Sequence, residues 1–347
     1  MSFPPATPAH FDSRIDRLPL ATLYLTERCN SRCVTCDYWR HGSADTNLAS
    51  VERLLPSLER LQTRVVLLSG GEPLLNREWQ AIAEILRTSG IRTWLLTSGL
   101  SLLKHARRAG QLFDAITVSL DGTNRETYSA IRGLDAFDKV CAGIAAAAST
   151  GAPVSVRVTV QRANYRQLPA FVDIARQAGA RQVSFLAVDV ASPHAFGRTD
   201  DFGADVALKP EDLPVLEQIL CTLENDYADA LRSGFIAESP RKLRNIHQYF
   251  SAVCGTAAFP PVRCNAPEFS CVIDAQGRVS PCFFIPGPAG TVGQEDLESL
   301  LNSDAMIALR QSIRTGARPE CEKCVCSLWR EPGSRVSNFL LQRQVNA

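Results

Sequence analysis

The chain has 347 residues, room for about two domains at ~150 residues each. With 45% hydrophobic and 21% charged residues it carries enough apolar material for a full core, which excludes a disordered chain. Lys and Arg number 37 against 36 Asp and Glu, a net charge of +1 that gives no field for non-specific nucleic-acid binding. No apolar run is long enough to cross a membrane. The start Met1-Ser2-Phe3-Pro4-Pro5 lacks the charged and apolar regions of a secretory signal, so a cytoplasmic chain with no nucleic-acid or membrane partner is expected.

In chain order, residues 20–25 read as a first strand, followed by helical apolar spacing from Val51 to Leu61. A second strand over 64–69 precedes a helix near 77–89. A third strand over 91–97 ends at Ser98-Gly99. A fourth covers 115–120, with helical segments to about 149. A fifth covers 154–160, with a helix near 167–178, and a sixth covers 183–188. Six strand–helix units with short connections imply parallel strands and right-handed crossovers, in an open doubly wound sheet or a partial β/α barrel. On the fifth strand Ser155, Arg157 and Thr159 alternate with four valines. A parallel strand covered on both faces is apolar throughout, so a polar face points to a barrel whose interior holds a site; an edge strand with a wet face is the alternative. Residues 191–253 form a loop and helical patterns at 211–231 and 239–252. From Cys254 the chain reads as irregular, rich in Cys, Pro and Gly.

Twelve cysteines in a reducing compartment point to metal binding or catalysis rather than to disulfides. Three fall between 29 and 36 and seven between 254 and 326; Cys141 and Cys221 stand apart in helix-like stretches and read as core thiols. The first group, Cys29, Cys33 and Cys36, lies on a loop directly after a strand. Three thiolates can converge on one centre. A structural zinc site needs a fourth ligand, whereas three cysteines on a four-iron cubane leave one iron open to a small chelating ligand.

This C-x3-C-x2-C motif after the first strand resembles the radical S-adenosylmethionine (radical SAM) superfamily. Other motifs agree in order and placement: Gly70-Gly71-Glu72-Pro73 after the second strand, and Ser119-Leu120-Asp121-Gly122 after the fourth. The resemblance implies a partial (β/α)6 TIM-like barrel over 20–190, after an N-terminal extension over 1–19. It implies a [4Fe–4S] cluster on Cys29, Cys33 and Cys36, with S-adenosylmethionine (SAM) on the open iron. Gly70, Gly71 and Glu72 would hold the methionine amino group, Ser119 and Asp121 the ribose, and Arg157 and Thr159 the carboxylate or ribose. Superfamily members usually place an aromatic residue before the third cysteine to meet the adenine; Thr35 stands there, so Tyr38 or Trp39 would have to cover the base. Glu72 and Asp121 also have plain structural alternatives, a helix-start carboxylate and a turn residue.

In the second group, residues 272–281 read as a hairpin with a glycine turn that draws Cys264 and Cys282 together. With Cys321 and Cys324 they resemble the SPASM/twitch extension, which implies a small Cys-rich iron–sulfur domain over 254–330, before a tail over 331–347. Only Cys326 follows the pair, so one auxiliary [4Fe–4S] cluster of the twitch type is expected, with Cys271, Cys326 and Cys254 as alternative ligands. The expected function is reductive cleavage of SAM to a 5′-deoxyadenosyl radical that abstracts hydrogen from an organic substrate. A small molecule is favoured over a peptide, because no peptide-recognition domain fits before residue 20. A flavodoxin- or ferredoxin-type donor supplies electrons, the auxiliary cluster accepts one, and no catalytic side chain is assigned. The competing expectations are a peptide maturase and a zinc-binding scaffold.

Overall fold

A computed structural model describes residues 13–192, 195–198, 205–287 and 290–331. Parts of the N-terminal extension, the 191–253 loop and the C-terminal tail therefore lie outside the described residues. Eight strands form one sheet in the order β6-β5-β4-β3-β2-β1-β7-β8. They are β1 (Leu20–Thr26), β2 (Val65–Gly70), β3 (Arg92–Thr97), β4 (Ala115–Ser119), β5 (Val154–Val160), β6 (Gln182–Ala187), β7 (Ser270–Ile273) and β8 (Val279–Ser280). The first six run parallel with helices between them, and the sheet does not close: a partial (β/α) barrel.

The helices form where apolar residues recur at helical spacing and a polar residue opens the first turn. In Leu48–Arg60, Val51, Leu54 and Leu58 are buried, and the Asn47 side chain accepts from Ser50 N at 2.9 Å. Helix Phe137–Ala148 buries Val140, Gly143, Ile144 and Ala147, and its small residues let it lie close to helix Leu102–Leu112. On β5 the valines are 0–1% exposed while Arg157 and Thr159 are half-buried. Because β5 lies between β4 and β6, its polar face is the barrel interior and not a wet edge.

Beyond β6 the chain continues the barrel wall. Ile236 bridges to Val183 in parallel, and helices Leu213–Asp226 and Pro240–Val253 bury Leu216, Leu220, Leu243 and Phe250 in the same core. The expected hairpin is present as β7 and β8, turning at Gly277. The rest of the segment is more ordered than its composition suggests: helices Leu297–Leu301 and Asp304–Arg314 follow, with Leu300 and Met306 buried. β7 pairs in parallel with β1, Cys271 opposite Ala21, so the Cys-rich segment extends the barrel's own sheet. Glu298 receives Arg60 and Ser57 from helix Leu48–Arg60, which fixes that segment's outer side.

Candidate active site

The motif residues gather at the carboxyl ends of the strands, the face that parallel β/α folds use for chemistry. β1 runs into the loop of Cys29, Cys33 and Cys36, and β2 ends at Gly70. Gly70 has φ +122°, and a Cβ there would lie 2.3 Å from Thr26 O; one on Gly71 would lie 2.3 Å from Arg28 O. Only glycine lets the two loops touch. Gly71 N donates to Thr26 O and Glu72 N to Arg28 O, both at 2.8 Å, so the Gly-Gly-Glu turn braces the chain leading into Cys29.

The other side of that loop rests on helix Arg125–Arg132. Its last carbonyls need partners, and the loop supplies them: Arg32 N donates to Arg132 O and Val34 N to Ile131 O, both at 2.9 Å. Beyond β6, Arg198 reaches over the loop. Its guanidinium pairs with Asp189 at 3.1 Å, both side chains almost fully buried, and donates to Thr35 O at 3.2 Å. Burial pushes the Cys29 thiol up to about 11 and the Cys36 thiol up to about 12; Cys33 adds to both shifts.

Glu72 is completely buried, and its carboxylate is crowded with donors. Oε1 accepts from Thr97 Oγ1 at 2.7 Å and Leu74 N at 3.2 Å. Oε2 accepts from Ser98 N at 2.7 Å and Ser98 Oγ at 2.6 Å. Burial nevertheless raises its pKa above the usual carboxylate value. Asp121 Oδ1 accepts from Thr159 N at 2.7 Å, and Oδ2 pairs with Arg132 Nη2 at 2.7 Å in an ion pair that is nearly solvent-free. Ser119 and Arg157 are in register across β4 and β5, and Arg157 faces Ser184 on β6.

Tyr38 does not stand alone beside Thr35. Its ring meets Tyr24 edge-on at 5.9 Å, and Tyr24 stacks with Phe283 at 6.4 Å. Phe196 meets Phe284 edge-on at 5.9 Å. These contacts join the loop of Cys36 to the segment after Cys282.

Cys264, Cys271, Cys282, Cys321, Cys324 and Cys326 line one largely apolar cavity beneath β1. Burial raises the thiols of Cys282, to about 11, and of Cys321 and Cys324, and Cys264 adds to each shift. Cys271 is buried on β7 and pushed up to about 12 by burial alone. Cys254 lies apart, bonded to Leu208 O at 3.3 Å. Among the described residues no three His, Cys, Asp or Glu side chains gather closely enough to hold a single metal ion; a cubane spreads its ligands more widely. The first loop and the helix it rests on also carry buried donors that lack acceptors: Ser31 Oγ on the loop, and Tyr128 Oη and Arg132 Nε on helix Arg125–Arg132. Three thiols surrounded by orphaned donors fit an acceptor-rich iron–sulfur group.

The comparisons with known proteins agree. Residues 23–175 match the radical SAM superfamily and residues 264–325 match SPASM, an iron–sulfur cluster-binding domain. The chain carries a radical SAM domain and a SPASM domain. The cofactors of such a pair are a [4Fe–4S] cluster with SAM in the first domain and auxiliary iron–sulfur clusters in the second. Fe-coproporphyrin III synthase of Methanosarcina barkeri is 30% identical over 178 residues, 49% of this chain and 44% of that protein. The chain thus spans less than half of that relative. AdoMet-dependent heme synthase of the same organism is 24% identical over 80% of both chains. Streptococcus suis SuiB bound to SAM superposes with a TM-score of 0.66 over 90% of this chain and 73% of SuiB at 14% identity, and SuiB bound to its precursor peptide SuiA with 0.63; both show the fold.

Arg132 and Arg198 are the residues that sequence reasoning missed. Arg132 reads there as an ordinary basic residue in a last helical turn; the Ser-Leu-Asp-Gly motif eleven residues upstream was its only signal. Arg198 follows a loop with no periodicity and carried none.

Proposed function

We propose that this protein is a SAM-dependent radical enzyme acting on a small organic substrate held between the barrel interior and the Cys-rich segment. The observation that carries this reading is a cavity of about 160 Å³ at the open side of the barrel. Arg157 and Ser184 line it from the strands, Glu238 from just before helix Pro240–Val253, Lys242 from that helix's first turn, and Cys324 and Cys326 from the Cys-rich segment.

Cys29, Cys33 and Cys36 would hold the catalytic cluster, and Cys264, Cys282, Cys321 and Cys324 a single auxiliary cluster. When bound, the first with SAM supplies a 5′-deoxyadenosyl radical for hydrogen abstraction and the second an electron acceptor. The chain's own part is positioning. Gly70, Gly71 and Glu72 fix the loop of Cys29 against β1 and β3. Ser119, Asp121 and Thr159 border the place for the cofactor's ribose. Arg157 offers a cation to a carboxylate, and half-buried Glu238, held by Ser184 Oγ at 2.7 Å and Phe185 N at 2.8 Å, offers an acceptor. An apolar wall of Leu186, Pro260 and Val262 limits water in the cavity.

The relatives named for tetrapyrrole chemistry support a small-molecule substrate; a peptide substrate, in keeping with the SuiB–SuiA likeness, is the second reading. A flavodoxin- or ferredoxin-type protein would supply the electron. The test is an anaerobic screen of metabolites and peptides against the reconstituted protein with SAM and dithionite. Formation of 5′-deoxyadenosine above the uncoupled background by a small molecule supports the first reading, and by peptides alone the second. A colourless, zinc-loaded protein would overturn both.

A further inference from the structure

We propose that Arg132, held in place by Asp121, sets the reduction potential of the cluster on Cys29, Cys33 and Cys36 by donating to Cys33 Sγ. The proposal rests on these three cysteines being the cluster ligands. Arg132 Nη1 lies 3.5 Å from Cys33 Sγ, and Nη2 lies 2.7 Å from Asp121 Oδ2. Side-chain exposure is 9% for Arg132 and 5% for Asp121, so water screens neither group.

The position is fixed from three sides. Arg132 ends its helix, and Gly133 follows in the left-handed conformation. The Arg132 carbonyl accepts Arg32 N, one residue before Cys33. Asp121 is itself anchored by Thr159 N. The side chain and the ligand it contacts therefore move as one unit. Arg132 Nε, buried without an acceptor, is a further donor beside the loop.

The sign of the effect follows from charge. Reduction adds one electron to the cluster, and a nearby cation or an N–H donor to a ligand sulfur stabilises the reduced form. Arg132 thus raises the potential, and Asp121 partly cancels it. Arg132 is a positioning and tuning residue, not a catalytic one.

The test is a redox titration of the reconstituted protein without SAM, followed by electron paramagnetic resonance. Variants are R132Q, D121N and the neutral pair D121N/R132Q; the signal that shifts on later SAM addition marks the relevant cluster. R132Q should lower the reduced-to-oxidised ratio at fixed potential about tenfold, equivalent to about 59 mV for one electron. D121N should raise the ratio, and the double variant should fall between the two. A structural role alone would lower iron content without opposite-signed shifts. Equal potentials in all variants with full iron, or shifts of the same sign in R132Q and D121N, would overturn the proposal. If R132Q fails to fold, the D121N and double-variant titrations still decide it. Should the Cys29/Cys33/Cys36 alanine variant keep this signal, the ligand assignment fails instead.

Discussion

Glu72→Gln separates a loop brace from a cofactor ligand. The wild-type carboxylate accepts four hydrogen bonds, two on each oxygen, with no exposure to water. Glutamine keeps the shape but has one oxygen. If that oxygen keeps Thr97 Oγ1 and Leu74 N, the amide nitrogen faces Ser98. The Ser98 hydroxyl can rotate to accept, but Ser98 N–H cannot, and a buried backbone donor is stranded at a cost of about 1–3 kcal/mol. The two retained bonds also lose their charge assistance. Relief of the burial that raises the Glu72 pKa works in the other direction and offsets part of this. We expect a net loss of about 1–3 kcal/mol, seen as a Tm lower by several degrees in anaerobic thermal unfolding without SAM. Faster hydrogen exchange at the Ser98 amide should accompany it. An unchanged Tm with unchanged Ser98 protection refutes the brace. If SAM affinity falls while both stay at wild-type values, Glu72 serves the cofactor's ammonium directly.

Replacing Cys29, Cys33 and Cys36 together by Ala should remove about four irons per chain and abolish reductive SAM cleavage; iron analysis and 5′-deoxyadenosine assay check this. C321A/C324A should lose the auxiliary cluster, keep 5′-deoxyadenosine formation and suppress product; a folded variant making product at the native rate counts against electron acceptance. Glu238 has a pKa raised chiefly by burial, so it holds its proton more tightly folded than unfolded. Its stabilising contribution is present at acid pH and is lost as pH rises through the raised value. The Tm of wild type relative to E238Q should therefore fall as pH rises above the ordinary glutamate range, and a pH-independent difference would refute the raised pKa.

The sequence by itself determined what depends on local spacing. Three thiols within eight residues after a strand, a glycine pair where two loops cross, and valines alternating with polar residues on β5 each impose their chemistry on neighbours in the chain. The barrel, its site face and its cofactors were legible for that reason. The helices at 297–301 and 304–314 were not, because they are short and sit among Gly, Pro and Cys that read as loop; their burial against the barrel stabilises them. Tertiary structure alone decided three further points. β7 joins β1 across some 250 residues, and backbone hydrogen bonding leaves no side-chain pattern to announce a partner so distant. Glu72 spends its lone pairs on Thr97, Leu74 and Ser98, a choice set by the packing of β2 against β3. Arg132 reaches Cys33 because the cluster loop caps a helix end ninety-nine residues away, and only the folded chain desolvates that guanidinium and Asp121 together beside the sulfur.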